Sequence, residues 1–115
     1  MQAEKLTWSA VQNDDKITLR LVGELSRDTL LPLWQQRLTF LSEKQIADKD
    51  ILWDLAQIKR IDSAGFALLC DLIAYCRKIK SSEHKIVLIN IPKQLLTLAD
   101  LFNLNDWLTP FISKN

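Results

Sequence analysis

The chain has 115 residues, 48% of them hydrophobic and 25% charged, with a formal net charge of +1. This length and composition predict one globular domain spanning residues 1–115, large enough to bury a working core. The near-neutral balance argues against nucleic-acid binding by phosphate neutralisation, and two glycines, Gly23 and Gly65, are too few to write a dinucleotide fingerprint or a Walker A loop.

Residues 6–11 read as a short strand. The polar turn Gln12-Asn13-Asp14-Asp15 follows, and Asn and Asp tolerate turn conformations. Residues 16–22 alternate, with Ile17, Leu19 and Leu21 on one face and Lys16, Thr18 and Arg20 on the other, which predicts a half-buried strand closing a hairpin. Gly23-Glu24-Leu25-Ser26 is expected to end it. Leu30, Leu31, Trp34, Leu38 and Leu41 recur at helical spacing, with Leu33 and Phe40 on a different, partly exposed side. Pro32 fixes the start of that helix near Asp28 or Thr29, because proline is tolerated only in a first turn. Residues 42–50 are polar and form the loosest segment.

Residues 51–56 are an apolar run, which predicts a buried central strand. A short link carrying Lys59 and Arg60 leads to Asp62-Ser63, residue types whose side-chain oxygens cap the orphan N–H groups of a helix start. The helix they open runs to about Ile79. At 100° per residue, Gly65, Phe66, Leu69, Leu72, Ile73 and Cys76 share the face expected on the sheet. The opposite face holds Ser63, Ala67, Cys70, Ala74 and Lys78, with Asp71 beside them. A solvated face would carry Glu, Lys and Gln there. The small residues fit three readings: a second layer of the same domain, alanine used as a helix former, or a docking face for another protein with Ser63 at its rim. Phe66, near that rim, is a candidate anchor for such a contact.

Residues 80–84 read as a loop and 85–91 as the last strand. Pro92 starts a helix whose apolar face is Leu95, Leu96, Leu98, Ala99 and Phe102. Residues 103–105 break it, and 106–111 form a short terminal helix. The order ββαβαβα predicts an α/β fold, a small mixed sheet of about four strands with crossover helices.

Chemistry is sparse. Cys70 and Cys76 are separated by about 9 Å along a helix axis, too far for a disulfide, and read as free thiols. His84 is the single histidine, and no CxxC is present, so neither a metal site nor a catalytic set is expected. A serine-hydrolase elbow is absent. The first residues lack the pattern of a signal peptide, and no apolar run reaches the roughly 18 residues of a membrane helix. A soluble, cytoplasmic protein is therefore expected.

Two phrases, Gly23-Glu24-Leu25 before a helix and W-D-L-x-x-I-x-R-I-D-S-A-G-F-A-L-L over residues 53–69, resemble the STAS domain. The Asp62-Ser63-Ala64-Gly65 segment is similar to that family's D-S-x-G loop. The phrase G-E-L-x-x-D-x-L-L-P-L-W over residues 23–34 is similar to the STAS subunit of the Mla phospholipid ABC transporter (the MlaB-like branch). The resemblance implies a partner-binding module without catalytic activity or cofactor. In the transporter branch it implies docking on the cytoplasmic ATPase subunit of a membrane permease complex that moves phospholipid and maintains lipid asymmetry. The module would lie peripheral to the inner membrane through that partner, without inserting itself. Asp62, Ala64, Gly65, Phe66, Ala67, Cys70 and Ala74 would form the partner surface. In the anti-sigma-antagonist branch the loop hydroxyl, here Ser63, is a kinase target. The family often carries Asp, near the phosphoacceptor, where this chain has Ser26, though Asp28 remains.

Overall fold

A computed structural model describes residues 5–80 and 83–112; the first residues, Ser81 and Ser82 of the residue 80–84 loop, and the last three lie outside the described set. Strand β1 (Thr7–Asn13) pairs antiparallel with β2 (Lys16–Leu25), from Thr7 opposite Val22 to Asn13 opposite Lys16. Asp14 takes a left-handed φ of 45° in the turn between them, as the polar turn residues foreshadow. Gly23 does not end β2. It sits inside the strand at φ 105°, where a Cβ would fall 2.0 Å from the Lys5 carbonyl oxygen.

The central strand β3 spans Asp50–Ile61, twice the length of the apolar run, and takes in the expected Lys59–Arg60 link. Backbone pairing carries it that far: the tail of β3 lies beside the tail of β2, Gly23 opposite Ile58 and Leu25 opposite Ile61. Strand β4 (Ile86–Ile89) pairs with β3, and the sheet order is β1-β2-β3-β4, with β2, β3 and β4 parallel. Asn90, at φ 55°, turns the chain out of β4 earlier than the apolar run suggests.

Between β2 and β3 the predicted single helix is broken into α1 (Leu30–Gln35) and α2 (Arg37–Phe40), followed by α3 (Glu43–Ile46). The facing also differs from the expectation. Leu33 and Phe40 are buried, whereas Leu31, Trp34 and Leu38 are 56%, 39% and 60% exposed. The break at Gln36 resets the helical phase, so one continuous wheel cannot describe both pieces. The Phe40 ring packs edge-on against Trp8 and Trp53, which holds α2 over the sheet. In the segment read as loosest, fully buried Ile46 anchors α3.

Helix α4 (Ser63–Ile79) forms as predicted and buries Gly65, Phe66, Leu69, Leu72, Ile73 and Cys76, together with Leu68. After β4 come α5 (Lys93–Leu101), α6 (Asn105–Leu108) and a 3₁₀ turn, Thr109–Phe111. Leu95 and Ala99 of α5 are buried; Leu96 and Phe102 stay largely exposed. Strands β2, β3 and β4 advance across the sheet in one direction, so right-handed crossovers place their helices on the same face. Ile17, Leu19, Leu21, Ile51, Trp53, Leu55, Ile86 and Leu88 form the sheet side of the core beneath them.

Candidate functional site

The site grows from the turn between β3 and α4. Asp62 has extended backbone and caps the helix: its Oδ1 accepts the Gly65 N–H at 2.9 Å. Its Oδ2 accepts the Arg27 N–H at 3.1 Å, and its own N–H donates to the Leu25 carbonyl at 3.3 Å. One carboxylate thereby ties the helix start to the β2–α1 turn. Gly65 completes the fit, since a Cβ there would lie 2.0 Å from the Leu25 oxygen.

A buried polar network lies under the turn, signalled in the pattern of residues only by the G-E-L phrase. Glu24 is almost fully buried; its Oε2 accepts the Ser26 hydroxyl at 2.6 Å and its Oε1 faces Arg60 Nη1 at 3.4 Å. The Ser26 Oγ accepts the Asp28 N–H, and the Thr29 hydroxyl donates to the Glu24 carbonyl at 2.6 Å. An aspartate at position 26 would set a second buried carboxylate against Glu24, so serine fits this network better.

Ser63 is the first helical residue rather than the cap, and it is exposed. Simple N-capping therefore does not explain it. Along the same face Ala67, Asp71, Ala74 and Lys78 are exposed, and Ala64 and Cys70 half-buried. Among the described residues no second layer of this chain covers the stripe, which removes one of its three readings. Phe66 departs from the anchoring role expected for it. It is 2% exposed and stacks on Phe102, ring centroids 6.1 Å apart. It and Gly65 shape the surface from below.

The stripe is a ridge between two grooves of about 310 Å³ each. On the α5–α6 side, Ser63, Ala67 and Cys70 face Phe102 and Leu104. On the α1–α2 side, Ala74, Tyr75 and Lys78 face Trp34 and Arg37, with Asp71 shared by both grooves. The Arg37 guanidinium lies 3.7 Å over the Trp34 ring. Trp34 is 39% exposed and joins the ridge through this groove. Reading the α1 pattern as a core face hid Trp34; its phrase L-L-P-L-W was visible.

Burial pushes the Cys70 thiol up to about 11, helped by Asp71, and pushes Cys76 to about 12. Both cysteines are free thiols, protonated at neutral pH. Asp54, in one row with Arg20 and Ile89, faces away from the helices. Burial raises its pKa, but the Ala56 N–H, the Asn90 amide and Arg20 together outweigh that and hold it below the ordinary value. The Lys85 N–H lowers Asp50 against partial burial, helped by His84, whose Nδ1 lies 3.3 Å away. His84 and Ser63 flank opposite ends of β3, so they cannot form a serine–histidine–acid set. Among the described residues no group of three or more His, Cys, Asp or Glu could hold a metal ion.

This is a small α/β module whose distinctive surface is a ridge of small residues rather than a cleft with reacting groups. The chain belongs to the family described as Mlab, STAS domain, whose model matches residues 8–111. It is 52% identical, over 93% of its own length and 99% of the relative's, to the intermembrane phospholipid transport system binding protein MlaB of Haemophilus influenzae. The Escherichia coli protein of the same name is 36% identical over 89% of this chain and 92% of that one. The fold is shared with the Bacillus cell fate determinant SpoIIAA in its phosphorylated form (TM-score 0.63, 16% identity, 93% of this chain and 89% of that one). The chain is thus a non-catalytic STAS-domain protein homologous to MlaB.

Proposed function

We propose that this chain is the cytoplasmic STAS subunit of an ABC-type phospholipid transporter, and that it docks on the transporter's ATPase through the α4 ridge. The observation that carries the reading is the pairing of homology to phospholipid-transport MlaB proteins with the exposed ridge of Ser63, Ala67 and Ala74 between two apolar grooves. Small residues let a partner's backbone approach closely, while Trp34 across the groove offers the aromatic area that anchors interfaces. Ser63, Ala67 and Ala74 are exposed and outside the buried core, which suits a surface selected for contact. No helix among the described residues is long and apolar enough to cross a membrane, so membrane association would run through the partner.

The test is co-expression with the ATPase and affinity purification of the complex. Ala67→Arg, Ala74→Arg and Trp34→Ala should each remove the ATPase from the eluate, with circular dichroism as in the parent for all three and melting unchanged for the two alanine-site variants. Undiminished copurification of all three would reject this face.

A second reading rests on the exposed Ser63 hydroxyl, which Asp62 relieves of capping duty. Phosphate there would add about −1.5 to −2 charges at a helix N-terminus that tolerates them, and would expel a closely packed partner. Intact mass after incubation with kinase-containing extract of the source cells checks it; an unmodified Ser63 counts against it.

A further inference from the structure

The helices of this fold all lie on one face of the sheet; α1, α3 and α5 each pack on α4. Among the described residues no helix covers the other face. It carries Thr18, Arg20 and Val22 of β2, Leu52, Asp54 and Ala56 of β3, and Val87 and Ile89 of β4, which alternate with the buried core residues. Register sets Val11, Thr18, Leu52 and Val87 in one row across all four strands, beside the row Ser9, Arg20, Asp54 and Ile89. Val11 is 55% exposed. Parallel strands are as a rule covered on both faces, because their crossover helices flank the sheet and their side chains are apolar on both sides. Here three strands are parallel and one face is open.

We propose that this open face joins two copies of the chain, packed sheet to sheet about a two-fold axis. The charges on the face favour a second copy over a partner of one sign. Lys16 lies opposite Asp50 and Arg20 opposite Asp54 on neighbouring strands, so cation and anion stand side by side. A two-fold axis lays each such pair over its inverse, which is the self-complementarity an isologous contact needs. The Arg20 side chain, bound to Asp54 at 3.1 Å, is still 51% exposed and can reach across. Four strands about 4.8 Å apart and some 20 Å of strand give a flat patch of about 400 Å² per copy. That lies below the roughly 800 Å² per partner of stable complexes, so the dimer is weak and reversible. It leaves both α4 ridges pointing outward, free for two docking partners at once.

Sedimentation-velocity runs on the full chain from about 5 µM to 1 mM test this. The expected result is a monomer–dimer equilibrium in which Val11→Arg and Thr18→Arg, both on the open face, weaken dimerisation at least roughly tenfold. Ala74→Arg, on the opposite face, should leave the equilibrium unchanged. Should Thr18→Arg fail to fold, Val11→Arg on the edge strand still decides the matter. A monomer throughout overturns the proposal, as does a dimer untouched by Val11→Arg or equally weakened by Ala74→Arg.

Discussion

Gly65 offers the sharpest test of how the site is built. Gly65→Ala would place a methyl carbon 2.0 Å from the Leu25 carbonyl oxygen, 2.5 Å from its carbon and 3.0 Å from Leu25 Cγ. Carbon and oxygen need more than 3 Å, and the obstacle is backbone, so α4 must retreat from the end of β2 by about 1 Å. That movement disturbs three things at once. It lengthens the Asp62 N–H bond to the same Leu25 oxygen, strains the Asp62 cap, and loosens Phe66 and Leu69 in the core. Overpacking costs about 1–3 kcal/mol. The weakened hydrogen bond adds about 1 kcal/mol. Alanine's helix propensity returns about 1 kcal/mol. The net loss is about 2–3 kcal/mol, taking the upper part of the overpacking range because no flexible side-chain end can yield. In urea, with a slope of about 1–3 kcal/mol per molar, the midpoint should fall by roughly 1 M or more. An unchanged or higher midpoint for Gly65→Ala would refute the close-approach argument, and with it the claim that glycine seats the Ser63 turn on β2.

Two further outcomes follow from the titratable groups. Asp54 has a depressed folded-state pKa, so its contribution is present above the unfolded value and is lost as pH falls through the folded one. Asp54→Asn should therefore lower stability at neutral pH and converge with the parent in acid, below about pH 4, when denaturation midpoints are compared across pH. A constant deficit at every pH would contradict this. The raised thiol pKa values predict that iodoacetamide at pH 8 modifies Cys70 slowly and leaves Cys76 untouched until denaturant is added. Peptide mass mapping reads both, and rapid labelling of Cys76 in the native protein would show the core to be looser than described.

The sequence by itself determined the hairpin, the four strands and, above all, α4. Seventeen residues give nearly five turns, enough for the apolar and small faces to separate without ambiguity, and Asp62 marks the start chemically. The D-S-A-G and G-E-L phrases carried the family. Where periodicity was short or interrupted, tertiary structure decided. Leu33 and Phe40 went inside and Trp34 outside because a break at Gln36 reset the helical phase and because Phe40 found Trp53 to pack against. The extension of β3 came from backbone pairing with β2, which side-chain pattern does not record. Phe66, on the sheet-facing side as the wheel predicts, is sealed from the rim by Phe102, thirty-six positions away in the chain. Whether the α4 stripe was covered, and whether the sheet had helices on one face or both, depended on the direction in which successive crossovers advance. That direction is a property of the assembled sheet, fixed by how whole elements pack, and no local run of residues encodes it.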